Sequence, residues 1–393
     1  MAKKQSGQPL TAEQKRQMRR RRSRRRAVLR GIALVLVCVI VVLLWQNWDV
    51  VAPDRLYSHI QDLLGSSTGS YPVDFSGVGV QRLARVDNYS VVLTDSHLIY
   101  LNQSGAEVNR ISCAYPSALM CTTDQYVLVA EQGGRRIQLS TRTSVVTEME
   151  VDNEIIAVAL NDKGQMAVLM QGSQGYLVQI KVYDRKGKLL YTRSRNQTAT
   201  EIALSPDGRQ VALLSIKALN GTLTSAMDVF SLTTSDTEAL CSHKEADTLL
   251  YRMEYLSDGW VVAFSEDRAV MMDTANGLAS VYVPSDMRVL GYAVGSDTMA
   301  LVLRSYGSTG DGEVHIVNKE GVPTATIPFE GVYRDLSQQK GLYVLLTDTY
   351  AQRITANGEQ VRVSVEEDGR QAVLDGDNVV VLGLNRLLAY PLT

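Results

Sequence analysis

The chain has 393 residues and is 45% apolar, enough for one large core with extra segments beside it. Its four cysteines contain no CxxC pair, which excludes a disulfide scaffold and the zinc and redox sites built on that spacing. Net charge is −2, but residues 1–30 hold twelve of the 40 bases and one of the 42 acids, leaving 28 against 41 in residues 31–393.

Arg19 to Arg26 is an arginine block broken only by Ser23. Such a block suits either a nucleic-acid arm or a topology signal beside a membrane span. The next residues decide between them. Gly31 to Trp45 is uncharged and almost wholly aliphatic. Taken from Ala27 to Trp48, the run of 22 residues is about 33 Å long as a helix, close to the ~30 Å hydrocarbon core. Arg30 can snorkel at one end, and Trp45 and Trp48 mark the other interface. The reading is therefore a cytoplasmic tail over 1–26, a transmembrane helix over 27–48 in the lipid bilayer, and an extracellular remainder. No nucleic-acid partner is expected. A cleaved signal peptide fits less well, because Leu44-Trp45-Gln46-Asn47 stands where a small-residue cleavage site belongs.

Residues 49–70 form a juxtamembrane segment. Pro53 to Leu64 reads as a short helix, with Leu56, Ile60, Leu63 and Leu64 on one face and Gly65 after its end. Gly65 to Ser70 reads as a flexible tether. It also spells G-x-S-x-G, but a nucleophile elbow needs a strand before it and a helix after it.

From Tyr71 to Thr393 short apolar runs alternate with polar turns, the pattern of an all-β fold. Turns centred on Asp87, Asp124, Asp162, Asp207, Asp258, Asp297, Gln339 and Asp377 are spaced by 37, 38, 45, 51, 39, 42 and 38 residues. A period near 40 with four strands per unit is the signature of a β-propeller. The run after each turn, such as Val211-Ala212-Leu213-Leu214 or Val379-Val380-Val381-Leu382, is apolar without alternation. An inner strand sandwiched between neighbouring blades demands that pattern. A second turn series carries Gly105, Gly187, Gly277, Gly321 and Gly358 at intervals of one or two periods. The count predicts eight four-stranded blades, with seven as the alternative. The last unit lacks a fourth strand, and Tyr71 to Phe75 is a spare strand at the start, so it should complete that blade and close the ring.

In a four-stranded meander the first and third turns share one face of the disc. The second turns and the links between blades occupy the other. Insertions concentrate on that other face: Gln171 to Tyr176, Ile216 to Ser225 and Ser305 to Gly312, beside the links Ala114 to Ser117, Ser194 to Thr198 and Ser242 to Asp247. Long loops on a rigid scaffold are where binding resides. Tyr115, Tyr176, Lys217, Asn220, Tyr306 and Asp311 are therefore the candidate partner-binding residues.

No catalytic or cofactor set emerges, and none is expected. The histidines His59, His97, His243 and His315 are scattered, and His243 with Glu245 and Asp247 matches no metal-site type. The aspartates of the first turns are explained by bonds to local backbone. A Cys113–Cys121 disulfide has no supporting spacing pattern. One tryptophan, Trp260, lies in the repeats, which argues against an indole-lined saccharide cleft.

Ser205-Pro206-Asp207-Gly208 followed by Val211-Ala212-Leu213-Leu214 resembles the WD40-like repeats of TolB-type periplasmic propellers. Val182-Tyr183-Asp184-Arg185-Lys186-Gly187 resembles a strand and turn of quinoprotein-like propellers. The recurrent tryptophans of that family are missing, so its cofactor does not carry over. The layout over roughly residues 20–393 resembles an uncharacterised family of Gram-positive bacterial proteins with one N-terminal span and a propeller-like ectodomain, and this resemblance brings no activity. Two functional classes follow. One is a non-catalytic binding or scaffold module for an envelope protein or polymer. The other is an extracellular hydrolase or lyase with its site in the central channel.

Overall fold

The hairpin at 205–208 shows how the sequence sets the repeat. It joins the strand Thr198–Leu204 to the strand Gln210–Leu219. Asp207 Oδ1 accepts hydrogen bonds from the Ser205 hydroxyl at 2.7 Å and the Arg209 N–H at 2.9 Å, and Ser205 Oγ accepts from the Gln210 N–H at 2.9 Å. Gly208 takes φ 67°, a left-handed conformation that costs glycine nothing. The turn aspartate thus serves local backbone, as its residue type predicts.

In the computed structural model, residues 69–219, 221–234, 238–257, 259–366 and 368–392 are described. The tail 1–26, the span 27–48, the helix expected over Pro53–Leu64 and nearly all of the tether lie outside them. The described strands pair as eight four-stranded antiparallel sheets, the eight blades of a propeller. Blades 1 to 7 run in chain order, starting from the inner strands Val80–Val86, Ala118–Thr122, Ile155–Leu160, Thr198–Leu204, Arg252–Ser257, Met287–Val294 and Tyr333–Gln339. Blade 8 takes its first three strands from Gln371–Asp375, Asn378–Leu382 and Arg386–Pro391. Its fourth is the strand Val73–Asp74, paired Val73 to Leu387 and Asp74 to Arg386. The eight-blade count and the closing strand agree with the turn periodicity.

Apolar side chains bury into eight cores, one in each gap between blades. The second strand of blade 3 shows why its run does not alternate. Met166, Val168 and Met170 enter the core shared with blade 2, while Ala167 and Leu169 enter the core shared with blade 4. Both faces of the strand are interior, and successive side chains alternate between them. The gap between blades 8 and 1 is filled in the same way by Phe75, Leu83, Val92, Val380 and Leu387. Gly69, the first described residue, lies at the turn face, where its N–H donates to Ser104 Oγ at 3.3 Å.

Three expected loops are strand instead. Ile216 to Ser225 belongs to a continuous ladder running from Gln210 opposite Ser231 to Leu219 opposite Thr222. Isoleucine, threonine and leucine in the stretch favour extended pairing over a loop. Ser242 to Asp247 largely coincides with the outer strand Cys241–Ala246 of blade 4, whose polar residues face solvent at the rim. The outer strand of blade 3 extends to Arg195 and blade 4 begins at Thr198, leaving two link residues between them.

Candidate functional site

The insertion face carries four of the six candidate residues where the loop argument puts them. Tyr176 is 49% exposed in a loop closed by its own N–H bonding to Ser173 O at 3.1 Å. Lys217 is exposed on the extended hairpin, opposite Thr224. Tyr306 is 60% exposed, and Asp311 is exposed in the same loop. That loop is pinned from beneath. Buried Arg304 donates to Gly310 O at 2.8 Å and to Gly331 O at 3.2 Å, tying the loop to the link before blade 7. Asn220 lies outside the described residues.

Tyr115 does not belong to this surface. Its ring is buried in the core between blades 1 and 2, with the Arg136 guanidinium 4.7 Å from the ring centre. A link residue with a large apolar body turns inward where the gap between blades needs filling. Two residues that join the face went unnoticed in the sequence, Leu249 and Tyr251, 48% and 40% exposed in the link to blade 5. Among the described residues, the exposed aromatic side chains are Tyr176, Tyr251 and Tyr306, and all three stand on the insertion face.

The second region is the central channel, a cavity of about 690 Å³. In blades 1, 3, 4, 6 and 7 the inner strand carries a bulge near its start, next to Arg82, Ala157, Glu201, Gly291 and Asp335. A bulge re-aims the side chains that follow it. The channel edge of an inner strand has no further strand to pair with, so its backbone groups need other partners. Side chains from the preceding blade supply some of them. Asp335 Oδ2 accepts from the Ala372 N–H at 2.9 Å, Gln371 Oε1 accepts from the Leu83 N–H at 2.8 Å, and the Cys121 thiol donates to Val158 O at 3.4 Å. Arg252 donates to Glu201 Oε2 at 2.7 Å across the gap between blades 5 and 4.

The channel's titratable groups are shifted by its enclosure. Burial pushes Asp335 up to about 6, against the pull of its backbone bonds. Burial raises Glu201, and Arg252 opposes the rise. The Glu254 side chain is exposed, but it is exposed into the channel, with protein on all sides of that space. Burial pushes its carboxyl up to about 7, with the Glu201 charge adding to the rise. Burial likewise pushes the Cys121 thiol up to about 12, which keeps it protonated and a weak nucleophile.

The histidines sit elsewhere. His243 on the outer strand of blade 4 bonds Glu245 at 2.7 Å, and Arg268 stands 3.7 Å from the same carboxylate. His315 in the strand Gly312–Asn318 of blade 6 bonds Glu313 at 2.6 Å on one side and the Tyr282 hydroxyl of blade 5 on the other. Neither lines the channel. Cys113 and Cys121 are free thiols.

The chain belongs to DUF5711, a family of unknown function whose model matches residues 72–378. No curated protein matches the sequence. Among solved structures, BamB from Moraxella catarrhalis is similar at a TM-score of 0.50 and 10% identity, covering 81% of this chain and 99% of that one. The Pan2 WD40 domain from Neurospora crassa is similar at a TM-score of 0.46 and 10% identity, covering 81% of this chain and 90% of that one. At such identity the likeness to BamB concerns the fold alone.

Proposed function

We propose that this protein is a membrane-anchored extracellular β-propeller that binds an envelope protein or polymer through its insertion face, without catalysis. Residues 27–48 would span the bilayer with 1–26 in the cytoplasm. The observation that carries the binding role is the placement of Tyr176, Tyr251 and Tyr306, with Leu177, Leu223 and Leu249 exposed between them. Tyrosine offers large contact area and a hydroxyl at little entropic cost, which is why it is enriched at interaction hot spots. The third turns of the opposite face and the strand starts after them expose aliphatic residues, Val145, Leu189, Leu190, Leu240, Leu278 and Val322, and no aromatic side chain among the described residues. The apolar and aromatic character of the patch favours a folded protein over a highly charged polymer.

The test is photo-crosslinking in intact cells, with the reactive side chain placed at 176, 251 or 306, and at 278 or 322 as controls. One common adduct from the first three positions and none from the controls is expected. Equal labelling from both faces would refute the assignment. Orientation has its own measurement: protease added to intact cells should remove the propeller and leave the arginine-rich tail protected.

A further inference from the structure

Two groups of opposite sign on the channel wall have neither a hydrogen bond nor an ion pair within the described protein. Arg82 from blade 1 and Glu254 from blade 5 both line the 690 Å³ cavity. Blades 1 and 5 stand on opposite sides of an eight-blade ring. Glu201 is bonded to Arg252 and Asp335 to the Ala372 N–H, while Asp162, in a first turn, lines the cavity at its turn-face end. Arg82 and Glu254 make no hydrogen bond and no ion pair with any described residue. Both still act electrostatically near the axis. Arg82 is felt by Cys121 in blade 2 on one side and by Asp335 in blade 7, two blades away, on the other. Glu254 is felt by the same Cys121 from across the ring, and by Tyr292 in blade 6.

Opposite charges on opposite walls of a channel select a ligand with two ends. A guanidinium matches a carboxylate through its fork of donors, and a carboxylate matches an ammonium. We propose that the channel binds a short zwitterionic peptide, its free carboxylate on Arg82 and its free amine on Glu254. The enclosure strengthens both contacts, because confined water screens less than bulk water. Tyr292, stacked on Phe264 at 3.9 Å, adds a fixed aromatic wall beside Glu254.

Proton linkage gives the site a signature. Glu254 is held up to about 7 by its protein surroundings and by the Glu201 charge, against the pull of Arg252. An ammonium placed beside it favours the ionised form, so binding near pH 7 must expel part of a proton. Ordinary exposed carboxylates are already ionised there and expel none.

The experiment uses the full chain in detergent and a ruler of oligoglycines from one to five residues at millimolar concentration. Binding is followed by calorimetry in phosphate and in Tris buffer at neutral pH. One length should bind best, since each added residue lengthens the ligand by roughly 3.5 Å. Capping either end, by N-acetylation or C-amidation, should weaken binding about 10- to 100-fold, the range of one charge-assisted hydrogen bond. Arg82→Gln should abolish discrimination against the amidated form only, and Glu254→Gln discrimination against the acetylated form only. The apparent heat should differ between the two buffers, and that difference should vanish in Glu254→Gln. Equal binding of the doubly capped peptide, or no binding at any length by a protein with an unchanged melting temperature, would overturn the proposal.

Discussion

The ring closes at one seam, and a buried ion pair there offers the sharpest test of how it is held. Arg85 Nη2 lies 2.6 Å from Asp375 Oδ1, with the two side chains 5% and 1% exposed. Arg85 belongs to the inner strand of blade 1, and Asp375 ends the inner strand of blade 8. Arg85 also bonds Asp87 O at 3.2 Å and Ser90 Oγ at 3.3 Å, which fixes its fork. Replacing Arg85 with methionine keeps much of the stem but leaves a carboxylate unmatched in the interior. Breaking one side of such a pair costs about 3–5 kcal/mol, whereas replacing both sides with apolar residues is often neutral. Unfolding entropy near 2.1 cal/mol/K per residue gives about 0.7 kcal/mol/K over roughly 320 residues. Arg85→Met should therefore lower the melting temperature by roughly 4–7 °C. The pair Arg85→Met with Asp375→Leu should recover most of that loss. Differential scanning calorimetry of the single and double variants reads both values. A single variant that melts like the wild type would show that the pair adds nothing at the seam. A double variant no better than the single would place the cost in lost packing and not in stranded charge.

Asp335 should couple stability to pH. Its folded value, near 6, stands above the unfolded value of about 3.9, so its contribution is fully present below the unfolded value and is lost as pH rises through 6. Guanidinium melts between pH 4 and pH 7 should show the wild type losing stability relative to Asp335→Asn as pH rises, and parallel profiles would contradict the assignment. Gly172 sets the loop that presents Tyr176, since a Cβ there would stand 2.2 Å from Tyr176 O. Gly172→Ala should reduce partner crosslinking from position 176 while sparing position 306, with a loss of roughly 1–3 kcal/mol in stability from the forced shift.

The eight blades were legible because their signals are local. A first turn such as Ser205 to Gly208 writes its geometry in residue types that bond their own backbone. The apolar run behind it, as at Met166 to Met170, has to satisfy two cores at once. Even the closing strand could be read, since a repeat that ends one strand short needs the spare one at its start. Facing was harder. Tyr115 lies in a link, where exposure is the default, yet the gap between blades 1 and 2 takes it in. Ile216 to Ser225 differs in length from its counterparts in other blades, and length alone does not separate a loop from a longer hairpin. The channel residues were invisible for a further reason. A bulge changes side-chain parity by one residue, so no alternation rule applied to Val80–Val86 or Thr198–Leu204 shows whether Arg82 or Glu201 points to the axis.

The channel holds two kinds of polar group, and the distinction bears on function. Asp335, Gln371 and Cys121 each bond the inner strand of the next blade, so they complete the scaffold where no further strand can. Removing any of them would be felt first as instability. Arg82 and Glu254 complete nothing in the protein, and both side chains are exposed to the channel, so the fold does not depend on them and a ligand can reach them. Binding and scaffolding are thereby divided by radius and by face. The eight shared cores hold the disc rigid, the inner bonds secure the channel wall, and the unmatched groups are left on the axis and on the insertion face. A substitution at Tyr306 or Arg82 should accordingly leave melting nearly unchanged while altering what the protein holds, the reverse of what is expected at Arg85 or Asp375.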